Sequence, residues 1–187
     1  ENGIEGVDFG VCNTDSQALE ASPVPTKIQL GTELTEGLGA GSNPEMGKKA
    51  AEESIDKVKE LLDANTKMLF ITAGMGGGTG TGAAPIIAEV AKETDILTVG
   101  VVTIPFSTEG GNRHEYAMQG LKELRKYVDT LLVINNDKLI EIYGDLTFTQ
   151  AFAKANEVLN TATKGIAEVI SQHLLVNIDL NDARRVL

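Results

Sequence analysis

Glycines are concentrated in one short segment whose spacing is typical of a phosphate-binding loop. Six of the 20 glycines lie within residues 74–82, which read GMGGGTGTG. An apolar run precedes this segment and an amphipathic stretch follows it, so we expect it to join a strand to a helix. Glycine lets backbone N–H groups approach a phosphate closely, and a helix N-terminus adds partial positive charge. A tight turn needs only one or two glycines, so the cluster favours an anion site.

The sequence narrows the kind of phosphate ligand. The Walker pattern is absent, because Gly47 and Lys48 are followed by Lys49 where that pattern has serine or threonine. Gly78, Gly80 and Ala83 nearly match a dinucleotide-binding fingerprint. Such sites also use an acidic residue at the end of the next strand, and residues 101–105 contain none. A dehydrogenase-type site is therefore disfavoured.

Two carboxylates near the end of the chain form a second candidate for chemistry. Asp179 and Asp182 are three residues apart and follow a long apolar-periodic segment. A chain leaving a helix can bring such a pair close together. From these residues alone, an acidic helix cap is the favoured interpretation.

The composition and net charge of the chain limit the classes of protein to which it could belong. The chain has 187 residues, 42% of them hydrophobic, which is enough to form a core. It carries 16 basic and 27 acidic residues, a net charge of −11. This charge repels nucleic-acid backbones at long range, so we expect no nucleic-acid partner. A single phosphate group can still bind through uncharged backbone N–H donors.

Other classes are disfavoured by what the sequence contains. Cys12 is the single cysteine, which excludes an intrachain disulfide and fits a reducing compartment. His114 and His173 lie far apart, so a zinc site is not expected. The longest apolar runs, such as residues 97–106, are shorter than a membrane span needs. No signal-peptide pattern opens the chain, and we expect a cytoplasmic protein.

Apolar runs and amphipathic stretches alternate along the chain. This alternation predicts an α/β fold with a mostly parallel sheet, in which ligands bind beyond the carboxyl ends of the strands. The predicted strands are residues 9–12, 68–72, 97–103 and 131–134. The predicted helices are residues 44–62, 83–92, 112–127 and 149–174.

Beyond these patterns, several segments carry a family resemblance. The GGGTGTG stretch at residues 76–82 is the signature of the tubulin/FtsZ superfamily. Four further segments resemble the FtsZ family and occur in that family's order and spacing: residues 13–19, 37–44, 105–110 and 177–182. The resemblance covers essentially the whole chain. It implies a three-layer Rossmann-like GTPase domain with a long central helix.

The resemblance also implies a set of GTP- or GDP-binding residues, with Mg²⁺ held through the nucleotide and water and Asp15 as a candidate contact. Phe152 would stack on the base, although by itself it is typical of a core residue. Glu109 and Arg113 would lie at the ribose, and Asn136, Asn156 and Glu157 at the guanine. The residues implied at the phosphates are Asn13, Gly39, Ala40, Gly41, Asn43, Gly76, Gly77, Gly78, Thr79, Gly80 and Thr81.

The acidic pair acquires a sharper role through the same resemblance. Asn177, Asp179 and Asp182 would form a catalytic loop that enters the GTP site of the next subunit in a head-to-tail filament. Phosphoryl transfer depends mainly on positioning and charge stabilisation, so groups supplied in this way would couple hydrolysis to assembly. When each subunit contacts the next through two different surfaces and the arrangement does not close into a ring, the subunits form an open filament.

Relative to the family, we expect the chain to be a fragment. The expected divisions are a GTP-binding domain at 1–148 without its first strand, a central helix at 149–174, and a catalytic loop with the next helix start at 175–187. The C-terminal domain and a partner-binding tail would lie outside it. The family location is the mid-cell division ring, with division proteins as partners and membrane contact only through adaptors.

Two alternatives stay open at this point. The chain could be a catalytically incompetent structural piece that binds nucleotide weakly, since a missing strand would leave unpaired backbone groups. It could also be an NAD-type oxidoreductase domain, which the strand end at Thr103 disfavours. Nucleotide titration distinguishes all three hypotheses.

Overall fold

The computed structural model describes residues 7–62 and 65–175, with side chains up to residue 168. Its five strands are all parallel to their neighbours and form two sheets, ordered β1–β2 and β3–β4–β5. The strands are β1 Gly10–Asn13, β2 Thr26–Gln29, β3 Met68–Gly74, β4 Leu97–Ile104 and β5 Thr130–Asn135. The predicted parallel α/β architecture is confirmed.

The described residues contain eight helices, three of which lie consecutively between β2 and β3. A 3-10 turn, Ser107–Glu109, follows β4. The helices are α1 Ser16–Ala21, α2 Thr32–Thr35, α3 Pro44–Glu53, α4 Ile55–Leu61, α5 Thr79–Glu93, α6 Gly111–Leu124, α7 Asn136–Tyr143 and α8 Phe148–Leu175. Within the described residues, no helix is both long enough and apolar enough to cross a membrane.

The larger sheet lies between two helical layers. On one face, Ile71 and Val102 pack with buried residues of α5 and α6 such as Ala88 and Leu124. On the other face, Val99 and Val101 belong to a cluster that Val158 and Leu159 of α8 join. The long helix α8 spans about 42 Å at 1.5 Å per residue. The three-layer prediction with a long central helix is confirmed.

The predicted helix at residues 44–62 is wrong in one respect, because it is divided at Ser54. Asn43 caps α3 by accepting a hydrogen bond from Glu45 N through Oδ1. Ser54 is buried, and its hydroxyl accepts a hydrogen bond from Gly31 N at 2.9 Å. This hydrogen bond joins the residue before α2 to the break between α3 and α4, and α2 leads along the chain towards Gly39. The apolar patterns also did not predict β2, α1, α2 or α7.

Cys12 lies in β1 and packs against the core formed by β2, α3, α4 and α5. Burial raises the pKa of its thiol to about 11, so the neutral form is favoured in the folded chain. This gives a stability contribution that is complete below about pH 9 and is lost as the pH rises towards 11. We expect a loss of about 2–3 kcal/mol in unfolding free energy. Urea unfolding at pH 8, 9, 10 and 11 measures it. Cys12→Ala should show a shallower pH dependence, and identical slopes would contradict the assignment.

Close packing of α3 on α5 depends on glycine. A Cβ at Gly82 would overlap the carbonyl oxygen of Pro44 and lie 2.5 Å from Lys48 N, both backbone atoms of α3. We therefore expect Gly82→Ala to destabilise the fold by about 3 kcal/mol, because the helices must separate. Gly165→Ala is the matched control, since a Cβ there meets open space in α8. It should be neutral or slightly stabilising in thermal unfolding. Equal effects would contradict this packing assignment.

Candidate functional site

The predicted nucleotide-binding segments gather at one edge of the fold. Parallel strands point the same way, so the segments that follow them emerge at a common edge. Residues 13–15 lie at the end of β1, residues 75–78 follow β3, residues 105–109 follow β4, and Asn136 follows β5. Hydrogen bonds and close contacts then join these segments into one continuous rim.

The glycine segment connects β3 to α5 and touches the start of α6. Gly76 adopts a φ of +99°, which favours glycine, and its N–H donates to Thr81 Oγ1 at 2.8 Å. A Cβ on Gly76 would lie 2.8 Å from the carbonyl oxygen of Arg113. This close approach brings Arg113 beside the glycines predicted to bind phosphate.

The segment at residues 39–43 packs against the same glycines. A Cβ on Gly78 would lie 2.7 Å from Ala40 Cβ and 2.9 Å from the backbone nitrogen and oxygen of Asn43. Gly39 and Gly41 adopt φ values of +87° and +57°, so this segment turns tightly. Both predicted phosphate segments therefore meet at Gly78.

Backbone N–H groups in these two segments are available to a ligand. Within the described residues, no acceptor is recorded for the N–H groups of Gly77 and Gly78 on one side, or of Ala40, Gly41 and Ser42 on the other. Gly78 is also the N-cap residue of α5, a 15-residue helix whose first turn adds unpaired donors and the positive end of its dipole. The arrangement suits an anion with several oxygens.

The segment after β1 lies against the turn at Gly39. Gly39 N donates to Thr14 O at 3.2 Å, and Asp15 forms an isolated antiparallel bridge with Leu38. Asn13 Oδ1 accepts from Asp15 N, and Asp15 Oδ1 accepts from Ala18 N to cap α1. Asn13 and Asp15 therefore stand at the rim, beside residues 38–39.

Glu109 and Arg113 form an ion pair one helical turn apart. Arg113 Nη1 lies 2.5 Å from Glu109 Oε2, and the Glu109 side chain is only 8% exposed. Phe106 N donates to the other carboxylate oxygen at 2.8 Å. Ser107 N donates to Asp137 Oδ1 at 2.9 Å, which ties this turn to the start of α7.

The remaining predicted base contacts lie around α7 and α8. Asn136 is buried, and its Oδ1 has no hydrogen-bond partner within the described residues. An unpaired buried acceptor is costly unless a ligand or water satisfies it. The Phe152 ring packs edge-to-face on Phe106 at 5.1 Å and on Phe148 at 4.7 Å between centroids. Phe148 is 68% exposed, and the sequence analysis missed it even though it precedes Phe152 by one helical turn.

Asn156 and Glu157 are exposed on α8, four and five residues beyond Phe152. Lys154 Nζ lies 2.7 Å from Glu157 Oε2, and this hydrogen bond raises the pKa of Lys154. The Lys154 ammonium also lies 4.6 Å from the centroid of the Tyr143 ring. The described partner of Glu157 is therefore a lysine of its own helix, and its predicted contact with guanine stays a prediction.

The structure says less about the predicted catalytic residues and the predicted metal contact. Asn177, Asp179 and Asp182 lie outside the described residues. Among the side chains of residues 7–62 and 65–168, no group of three or more His, Cys, Asp or Glu could hold a metal ion. Asp15, the candidate metal contact, is the carboxylate within the rim segment at residues 13–15.

Comparisons with known proteins agree with this geometry. The family described as "Tubulin/FtsZ family, GTPase domain" matches residues 3–144. Cell division protein FtsZ of Porphyromonas gingivalis is 52% identical over 98% of the chain, and that of Coxiella burnetii is 53% identical over 98%. The chain spans 40% and 48% of the lengths of these two proteins.

Solved structures show the same fold. An empty FtsZ dimer from M. jannaschii superposes with a TM-score of 0.93 and 46% identity, covering 99% of this chain and 54% of that one. CetZ2 from Haloferax volcanii, at 24% identity and a TM-score of 0.74 over 87% of this chain and 48% of that one, supports the fold alone. The chain belongs to the tubulin/FtsZ family and carries its GTPase domain.

Proposed function

We propose that the chain binds GTP and GDP at the rim formed by the strand ends. The observation that carries this proposal is the meeting of residues 39–43 with Gly78, where two rows of unpaired N–H groups converge. Backbone donors and a helix N-terminus bind phosphate oxygens without needing charged side chains. An electrically neutral cradle also explains how a chain of net charge −11 binds a polyanion.

Selection of guanine over adenine is assigned to the end of the rim away from the phosphate segments. Phe152 offers a ring face within an aromatic cluster, and Asn136 offers an unpaired buried acceptor. Glu157 offers a carboxylate, which would accept from the N1–H and N2–H₂ edge of guanine and repel the ring acceptor of adenine. Glu109 and Arg113 lie between these groups and the glycines, where the ribose would bind.

The hydrolysis step is proposed on the sequence resemblance. Asn177, Asp179 and Asp182 of a neighbouring subunit would position the attacking water at the γ-phosphate. A Mg²⁺ ion carried with the nucleotide would neutralise phosphate charge, and the neutral donor set at residues 39–43 and 76–81 suits a nucleotide that brings its own cation. The role of the rim is to bind and orient the nucleotide, which is most of the catalysis in phosphoryl transfer.

The cellular role follows from the relatives. Those of P. gingivalis and C. burnetii are named cell division proteins, and the M. jannaschii structure is described as a dimer. We propose head-to-tail assembly into filaments at the cytoplasmic mid-cell division ring. Division proteins would bind through a tail and reach the membrane through adaptors. In this scheme residues 1–148 bind nucleotide, residues 149–174 form the central helix, and residues 175–187 complete the neighbouring site.

Calorimetric titration with GTP, GDP and ATP in the presence of Mg²⁺ tests the proposal. We expect GTP and GDP to bind at micromolar concentration or below, and ATP to bind at least about 100-fold more weakly. Equal affinity for ATP would contradict the assignment of guanine selection. Absence of binding by every nucleotide would favour a purely structural role, and preferential binding of NAD would favour the dinucleotide alternative.

A further inference from the structure

Thr14 contacts both predicted phosphate segments although it follows a different strand. Its carbonyl oxygen accepts from Gly39 N and from Thr35 Oγ1, each at 3.2 Å. Its hydroxyl lies 2.6 Å from the hydroxyl of Thr79, the first residue of α5. Thr14 is completely buried, whereas Thr79 is partly exposed. This residue therefore joins the turn at residues 39–41 to the glycine segment.

The hydrogen-bond direction between the two hydroxyls follows from their burial. Two hydroxyls that share one hydrogen bond have two protons, so one proton points elsewhere. Within the described residues, Thr79 Oγ1 is the only recorded partner of Thr14 Oγ1. If Thr79 donated, the Thr14 proton would be buried without an acceptor, which is unfavourable. If Thr14 donates, the Thr79 proton points to the exposed side, at the N-terminal end of α5.

We propose that Thr14 is a positioning residue for Thr79: its hydroxyl donates to Thr79 Oγ1 and directs the Thr79 proton towards a nucleotide phosphate. This inference rests on the proposed nucleotide site, but it assigns a role to a side chain that does not touch the ligand. The donated bond also polarises the Thr79 hydroxyl, because hydrogen bonds in a chain strengthen one another. Thr79 would thereby become a better donor to a phosphate oxygen.

A double-mutant cycle in the full chain tests the coupling. Thr14→Val keeps the shape of the side chain and the carbonyl contact with Gly39 but removes the hydroxyl. We expect it to weaken GDP and GTP binding about fivefold, and Thr79→Val to weaken it about tenfold, since a hydrogen bond to a charged group is lost. The double variant should bind no more weakly than Thr79→Val alone, because Thr14 acts through Thr79. Multiplying effects would overturn the proposal.

Two further variants separate positioning from general stability. Thr14→Ser should restore wild-type affinity, because it keeps the donor. Thr98→Val is the matched control: Thr98 is also completely buried, and its hydroxyl donates to Ile96 O, just before β4 and away from the rim. It should leave nucleotide affinity unchanged even if it lowers the melting temperature. A loss of affinity with Thr98→Val equal to that with Thr14→Val would reduce Thr14 to a structural residue.

A measurement without nucleotide keeps this inference separate from the proposed function. Proton NMR of the ligand-free chain should show a slowly exchanging hydroxyl proton on Thr14 with a nuclear Overhauser contact to Thr79, and this signal should vanish in Thr14→Val. A slowly exchanging proton on Thr79 would overturn the assigned direction, and so would rapid exchange of both hydroxyls. If the Thr14 signal is found while no nucleotide binds, the proposed function fails and the hydroxyl geometry stands.

Discussion

Gly78→Ala is expected to reduce GTP and GDP affinity by at least about 100-fold. The added methyl group would lie 2.7 Å from Ala40 Cβ and 2.9 Å from backbone atoms of Asn43, so residues 39–43 must move away. The N–H donors of both segments then no longer converge on one phosphate group. Loss of two hydrogen bonds to a charged group accounts for a change of this size. Calorimetric titration measures the affinity.

The control for this substitution is Gly165→Ala, which makes the same chemical change on the exposed side of α8, where a Cβ meets nothing within 4 Å. It should bind nucleotide as the wild-type chain does. Circular dichroism checks whether the Gly78→Ala variant is folded. Wild-type affinity in a folded Gly78→Ala variant would show that the phosphates bind elsewhere.

Asp182→Ala is expected to lower GTP turnover by at least about 100-fold while leaving GTP affinity within about threefold of wild type. The reason is that this carboxylate would position the attacking water in the site of another subunit, and would not contact the nucleotide bound by its own subunit. Phosphate release measures turnover, and titration measures affinity. Asp56→Ala, an exposed carboxylate in the first turn of α4, is the control and should leave both unchanged.

Mixing the two defective variants tests whether the loop acts between subunits. Asp182→Ala retains an intact nucleotide site, and Gly78→Ala retains an intact loop. If the loop of one subunit completes the site of the next, the mixture should hydrolyse GTP faster than either variant alone. Hydrolysis that remains at the sum of the two separate rates would contradict action between subunits.

Much of the fold could be predicted from the periodicity of apolar residues. The nearly continuous apolar run of β4 predicts a strand covered on both faces, and its side chains do alternate between the α5–α6 layer and α8. The break at Ser54 could not be predicted, because it depends on a hydrogen bond from Gly31, 23 residues earlier. The apolar period continues across Ser54, so local sequence favours one helix. Strand β2 was missed because it has four residues and is half exposed.

The site could be predicted mainly through the family resemblance. The glycine cluster alone indicates an anion site, but it does not separate ligand-binding glycines from packing glycines. Gly80 and Gly82 illustrate this limit, since a Cβ on either would overlap a backbone carbonyl oxygen, of Gly74 and of Pro44 respectively. The hydroxyl contact between Thr14 and Thr79 joins residues 65 positions apart, and no local pattern predicts it.

Hydrogen exchange with and without GDP, read by mass spectrometry, tests the central claim most directly. The claim is that the carboxyl ends of β1, β3, β4 and β5 form one guanine-nucleotide site. We predict slower exchange on GDP addition in peptides that cover residues 13–15, 39–43, 76–81, 106–113 and 135–137, with no change in β2 or α4. Slower exchange confined to other surfaces of the chain, or no change at a GDP concentration that saturates binding, would contradict it.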